Sequence, residues 1–336
     1  MVSEWATLTR VSALVAGLTA LLLVSVAALQ FGAVELHWHA IFDAYLNYSG
    51  SRSDVIVRDL RAPGLFVAVE VGAALAVAGG LMQGVTRNPL ADPGILGVNA
   101  GAAMSTVVAI GIFHVSAPEK LVWYAFPGAV LGTVLSFSLA LAARGRMTPL
   151  KLTLAGVITA SMLGAATALV VLLNPSVGDN LRFWFLGDVN GRSMHVVLAT
   201  APFVVVGLVV AVMLGRSLNA LSLGEDTARS LGQNVTRIRI TSSAAAVLLA
   251  GGAVAAAGPI GFVGLAVPNG VRLLVGNDYR WILPLSAIYG AAFGVAVNLA
   301  ARVVLRPETI ETGVAIALIG TPIFLVLVSR RQLAQV

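Results

Sequence analysis

Seven stretches of this 336-residue chain carry no formal charge over a length close to or beyond a membrane crossing: Val11 to Val34, Pro93 to Pro118, Leu121 to Ala143, Leu152 to Gly178, Ser193 to Gly215, Ile240 to Val271 and Trp281 to Ala301. A helix needs ~20 consecutive apolar residues to cross a ~30 Å hydrocarbon layer. In that layer every backbone N–H and C=O must find its partner inside the chain, which leaves helices as the natural spanning element. The expected fold class is therefore an all-α polytopic membrane protein. A composition of 58% hydrophobic and 11% charged residues excludes a soluble enzyme, because it cannot supply a water-facing surface.

The runs resolve into about ten transmembrane helices, predicted near 9–31, 63–83, 94–114, 121–144, 149–173, 193–214, 236–257, 260–275, 280–304 and 312–330. The uncharged run from Ile240 exceeds one straight crossing, and Gly258-Pro259 inside it marks the break. The first run is read as a span rather than a signal peptide, since no small-residue cleavage site precedes the polar stretch Glu35 to Trp38. No low-complexity linker or internal repeat divides the chain, so residues 1–336 read as one transmembrane domain.

Ten spans put both termini on one side. That side holds Arg10, Arg87, Arg144, Arg146, Lys151, Arg216, Arg229, Arg237, Arg239, Arg272, Arg280, Arg330 and Arg331, a majority of the 21 Lys+Arg, while the acids lean to the other side. By the positive-inside rule the termini are expected to be cytoplasmic. The net charge of +6 lies scattered in short loops, which argues for a topology signal rather than a nucleic-acid partner.

Catalytic chemistry finds little to work with. There is no cysteine, and the two lysines, Lys120 and Lys151, stand outside any GxxxxGK[ST] setting, so no P-loop can hydrolyse ATP here. HExxH and GxSxG are absent too, which leaves no recognisable intramembrane enzyme. His37 and His39 flank Trp38 without a firm third ligand, and no metal site is expected from them. Among the predicted spans only Glu70 places an acid within the membrane, whereas an ion-coupled carrier tends to keep several. An energy source outside the chain is the consequence.

Three segments carry turn and surface chemistry between the apolar runs. In GGLMQGVTRNPLADPGILGVNAGAA (Gly79 to Ala103), Asp92 before Pro93 fits an N-cap followed by proline at the first helical position. In NALSLGEDTARSLGQNVTRIRI (Asn219 to Ile240), Glu225 and Arg229 stand four apart, a spacing that supports one solvated helical turn, and Gly232 lets the chain turn back. A short polar helix held between two spans is suited to receive a push from a cytosolic protein; read from its residues alone, it is first of all a solvated connector. The third segment, Ala255 to Ala292, holds GPIGFVGLAVPNGVR around the Gly258-Pro259 break.

Together with TALIG-like chemistry near the C-terminus (ETGVAIALIGTPIF), these segments resemble the permease subunits of binding-protein-dependent ABC importers for ferric siderophores, haem and cobalamin, whose patterns run close to RxPR…RNPLADPxxLG, GxxTARxLG and GPIGFVGLxVPHxxR. The resemblance extends from about Arg61 to the C-terminus. It implies a type II ABC importer permease architecture in the bacterial cytoplasmic (inner) membrane, with no catalytic residue and no cofactor in this chain. Its partners would be a second permease subunit, two cytosolic ATP-binding subunits that hold ATP and Mg, and an extracytoplasmic substrate-binding protein, all within membrane lipid.

Residue by residue, the resemblance implies coupling helices about 219–235 that contact the ATPase through Glu225, Thr227, Ala228, Arg229, Leu231 and Gly232. It implies docking of the binding protein at Arg61 and Arg302. Glu70, Gln83, Asn88 and Trp184 are candidates for the pathway or its gate, although Phe183-Trp184-Phe185 also fits interfacial anchoring. The expected cargo is an iron(III)-siderophore, with haem or cobalamin as alternatives in the same family and an ion-coupled secondary transporter as the alternative outside it. The chain departs from the pattern at Gly64, where the second arginine of RxPR would stand, at Glu311 and at Asn269. The missing arginine favours a heterodimer with a related permease over a homodimer.

Overall fold

A computed structural model describes residues 2–115, 117–142, 148–306 and 308–333. Fourteen α-helices follow one another, joined by loops, a π-helical turn and a 3-10 turn, with no strand among the described residues. They are α1 (Val2–Gln30), α2 (Trp38–Leu46), α3 (Arg52–Val55), α4 (Ala62–Thr86), α5 (Val98–Gly111), α6 (Pro118–Ala142), α7 (Pro149–Leu173), α8 (Pro175–Leu186), α9 (Met194–Ser222), α10 (Glu225–Ser230), α11 (Val235–Ala257), α12 (Val263–Val275), α13 (Tyr279–Val303) and α14 (Thr312–Leu333). A π-helical turn, Ile56–Arg61, joins α3 to α4, and a 3-10 turn, Pro93–Leu96, precedes α5. Ten of the helices coincide with the predicted spans; α2, α3, α8 and α10 are short additions in the connections. Arg144 and Arg146, which entered the charge comparison, lie outside the described residues.

Two spans are shorter than the sequence implied, for local reasons. The Asp92 carboxylate accepts from the Gly94 N–H at 2.8 Å, so the chain first makes a capped 3-10 turn and α5 begins only at Val98. Gly258 (φ +83) and Phe262 (φ +66) turn the chain between α11 and α12, so α12 begins at Val263. Thirteen or fourteen residues reach only about 20 Å. Irregular backbone at membrane depth is tolerated where protein rather than lipid surrounds it. Conversely α9 runs to Ser222, past the predicted 214, and carries Arg216 and Asn219 beyond the apolar run.

The bundle is organised around α4. Its most apolar window is 83% buried inside the protein, against 17% for α7. α13, α11, α9 and α12 all pack on α4, while α5, α6 and α7 form a layer at the side. Lipid tails are as apolar as leucine, so burying apolar side chains does little to hold helices together there; close packing must. Small residues supply it. A Cβ on Gly72 would drive into the Gly290 carbonyl of α13, and one on Gly79 into the Gly264 carbonyl of α12. Gly101 of α5 and Gly128 of α6 meet in the same way.

Gly79→Ala is therefore expected to cost about 1–3 kcal/mol through forced separation of α4 and α12. Gly164→Ala, where an added Cβ meets nothing within 4 Å, is expected to be neutral or to stabilise by about 0.5–1 kcal/mol. Thermal unfolding of the two purified variants in one detergent separates these outcomes; equal melting temperatures would deny the close contact its role.

Candidate functional site

Two polar clusters at the same end of the bundle form the candidate site. The first is α10, the six-residue helix between α9 and α11. Gly224 (φ +117) opens it and Gly232 (φ +78) closes it, both in backbone regions that side chains resist. Arg229 donates to Asp226 at 2.9 Å and to Glu225 at 3.1 Å, the anticipated i,i+4 pair. Arg239, one turn into α11, donates to the other oxygen of Glu225. Burial by itself would raise the Glu225 carboxyl. The hydrogen bond and charge of Arg239, with the charges of Arg229 and Arg87, outweigh it and hold Glu225 below its ordinary value. Sequence reasoning placed Arg239 in the charge comparison alone; a contact across fourteen positions leaves no periodic signal.

The six expected coupling residues divide by exposure. Glu225 and Arg229 form the ion-paired edge, Thr227 is exposed, and Leu231 stands 59% exposed beside the free turn at Gly232. Ala228 departs from the expectation. It is fully buried, and its side chain anchors α10 to the bundle rather than offering a contact to a partner. Of the predicted stretch 219–235, Asn219 to Ser222 belong to the end of α9, Glu225 to Ser230 form α10, and Val235 begins α11.

The second cluster lies beneath the first. Arg272 of α12 is buried, donates to Gln83 of α4, to Asn269 at 3.1 Å and to the Tyr279 hydroxyl at 3.0 Å, and lies 5.4 Å from the Tyr279 ring centroid. Gln83 donates to the Gly264 carbonyl at 2.9 Å, and Asn269 to the carbonyls of Pro89 (2.9 Å) and Leu265 (2.8 Å). The amide at Asn269, where the family pattern has histidine, thus ties α12 to the loop after α4. From Tyr279 the chain of bonds continues: its N–H donates to Asn219 at 2.8 Å, and Asn219 donates to Asp278 at 2.7 Å. Hydrogen bonds from Arg280, which oppose the effect of burial, hold Asp278 well below the usual carboxylate range. A continuous polar path thus links the end of α9, next to α10, to the middle of the α4–α12 contact.

The pathway candidates do not converge. Gln83 is buried in the Arg272 cluster, and Asn88 is exposed, its Oδ1 accepting from the Leu90 N–H at 2.9 Å to shape the loop. Trp184 is buried on α8, edge-on to the exposed ring of Phe185 at 5.7 Å, so of these two it is Phe185 and not Trp184 that is placed as an interfacial anchor; the Phe183 side chain lies outside the described residues. Glu70 is buried in α4 beside the Thr200 hydroxyl of α9, and neither of its carboxyl oxygens makes a well-formed hydrogen bond.

At the opposite end, Arg61 and Arg302 are buried instead of facing outward. Arg61 donates to the Leu29 and Gln30 carbonyls at 2.6 and 2.8 Å and to that of Val34, and Arg302 donates to that of Ala28 at 3.2 Å. The carbonyls of Ala28, Leu29 and Gln30 lie in the last turn of α1, where a cation also meets the negative end of the helix dipole, and that of Val34 lies in the loop beyond it. A docking arginine must present its charge; these two close a helix end.

A family model described as the FecCD transport family matches residues 20–330. The chain is 43% identical over 280 residues to the Fe(3+)-citrate import system permease protein YfmD of Bacillus subtilis (strain 168), covering 83% of each chain. It is 38% identical over 318 residues to the ferric enterobactin transport system permease protein FepD of Escherichia coli (strain K12), covering 94% of this chain and 95% of that one. A solved structure described as an inward-facing conformation of a metal-chelate type ABC transporter superposes with a TM-score of 0.82 at 29% identity, over 94% of this chain and 98% of the other.

Two outcomes follow. Glu70→Met removes a buried carboxyl without a well-formed hydrogen bond and is expected to leave stability unchanged or raise it by up to about 1–3 kcal/mol, with uptake intact; loss of uptake in a stable Glu70→Met protein would instead mark a pathway role. For Glu225, whose carboxyl titrates below its ordinary 4.5, the ion pairs contribute fully above that pH and fade as pH falls through the lowered value. The melting temperatures of wild type and Arg239→Ala should therefore differ at pH 7 and draw together as pH falls through the lowered value; a difference unchanged at low pH would contradict the pairing.

Proposed function

The chain belongs to the FecCD transport family, and from that premise we propose that it is the membrane permease subunit of an ABC importer that carries an iron(III) chelate of siderophore type into the cell. What supports this reading is that the likeness to iron-chelate permeases runs through nearly the whole bundle rather than through one motif. The chain conducts and does not hydrolyse; ATP and Mg belong to two cytosolic ATP-binding subunits. A binding protein delivers the chelate on the far side, a second and related permease completes the pathway, and both termini face the cytoplasm.

Mechanically, α10 offers the ATPase an exposed rim of Thr227, Leu231 and the Glu225–Arg229 pair, with Ala228 seated beneath. A push there reaches α9 directly and α12 and α4 through Asn219, Tyr279, Arg272 and Gln83. Arg61 and Arg302 serve docking indirectly, by fixing the outer end of α1. A chelate of siderophore size requires a wide pathway, and a wide pathway discriminates little, so selection falls to the binding protein.

In vesicles holding the permeases, the ATPase and the binding protein, ATP-dependent accumulation of iron chelate is expected, and none with this chain alone; gradient-driven uptake by the chain alone would overturn the reading. Leu231→Asp, at an exposed position, is expected to weaken the ATPase complex by about 2 kcal/mol, roughly thirtyfold, with the fold unchanged. ATPase retention on the immobilised permease measures it, and wild-type retention would remove Leu231 from the interface.

A further inference from the structure

We propose that α2 is a lipid-facing anchor that lies in the outer interfacial layer of the membrane. The helix divides cleanly by position at 100° per residue. Ile41 and Ala44 are buried and form, with Leu36 and Val57, a small core separate from the main one, against which Leu29 and Ile56 pack. On a second sector Trp38, Phe42, Tyr45 and Leu46 are exposed, Leu46 to 77%. On a third stand His39 and Asp43, also exposed. One face thus fastens the helix to the bundle, one is aromatic and apolar, and one is polar.

Depth assigns the occupant of the apolar sector. The 25 residues of α4 give about 37 Å of helix, which is more than the ~30 Å hydrocarbon layer requires. The turn Ile56–Arg61 that precedes α4, and α2 packed against it, therefore sit at the level of the lipid headgroups. Trp and Tyr concentrate at that level, where one side of a ring can be apolar and the other wet. Arg58 fits the same depth: exposed, it lies over the rings of Tyr45 (5.5 Å) and Tyr48 (4.7 Å), where its guanidinium can meet a lipid phosphate. Apolar flank toward the acyl chains, polar flank toward water and a cation between them are the parts of an interfacial helix.

The absence of native cysteine makes single-site labelling direct. Spin labels at Phe42→Cys, Leu46→Cys and Asp43→Cys, in vesicles of phosphatidylethanolamine and phosphatidylglycerol, report collisions with oxygen, which concentrates in the bilayer, and with a nickel chelate, which stays in water. Oxygen is expected to dominate at 42 and 46 and the nickel chelate at 43, and Arg58→Glu is expected to lower the oxygen-to-nickel ratio at 42. Dominance of the nickel chelate at 42 and 46 would overturn the proposal and leave the face to water or an extracytoplasmic protein. Dipolar broadening between labels on neighbouring molecules would overturn it in favour of a second copy of the chain.

Discussion

Close backbone contact around α4 is the constraint on which the rest of the structure depends. In lipid, apolar side chains gain little by leaving tails as apolar as themselves, so helices adhere through van der Waals contact and a few polar bonds. The Gly72–Gly290 and Gly79–Gly264 contacts bring α13 and α12 against α4 without intervening side chains. Four helices then share one buried neighbour, and motion at one of them is felt by the others. The more peripheral α7, mostly exposed in the single chain, adds little to that core beyond Leu152 and Ala155 near its start.

Charge is placed with the same economy. Arg272 sits inside the protein with two carboxamides, a hydroxyl and an aromatic ring for company and no carboxylate bonded to it among the described residues, so its position depends on Gln83, Asn269 and Tyr279 being where they are. Arg61 and Arg302 donate to carbonyls in the last turn of α1. In each case a cation fixes the geometry of backbone or neighbouring helices. The ion pairs of α10 differ, being at the surface, where they shape a helix too short to persist alone.

The spans were legible in the sequence because uncharged runs of spanning length admit few other folds, and α10 was legible because Glu225 and Arg229 share a helical face. Legibility failed wherever a contact joins residues distant along the chain. Nothing in periodicity pairs Glu225 with Arg239 or Gln83 with Arg272. Nor does a motif reveal exposure: Ala228 sits inside the TAR stretch yet is buried, and Arg61 and Arg302 match outward-facing arginines yet turn in toward α1. The α2 helix was not legible because nine residues of mixed character between polar flanks read as a loop; the division between the buried Ile41 and Ala44 and the exposed Trp38, Phe42, Tyr45 and Leu46 emerges only in the structure.

If α10, α9, α12 and α4 form one body, a push on α10 must carry α12 with it. The direct measurement is the distance between spin labels at Ser230→Cys on α10 and Leu274→Cys on α12, both exposed, in the complex assembled with its ATPase. The same distance distribution is expected in the nucleotide-free complex and in the complex trapped with ATP. A shift of about 5 Å, one helical turn, or a split into two populations would show that α10 moves without α12 and would contradict the account.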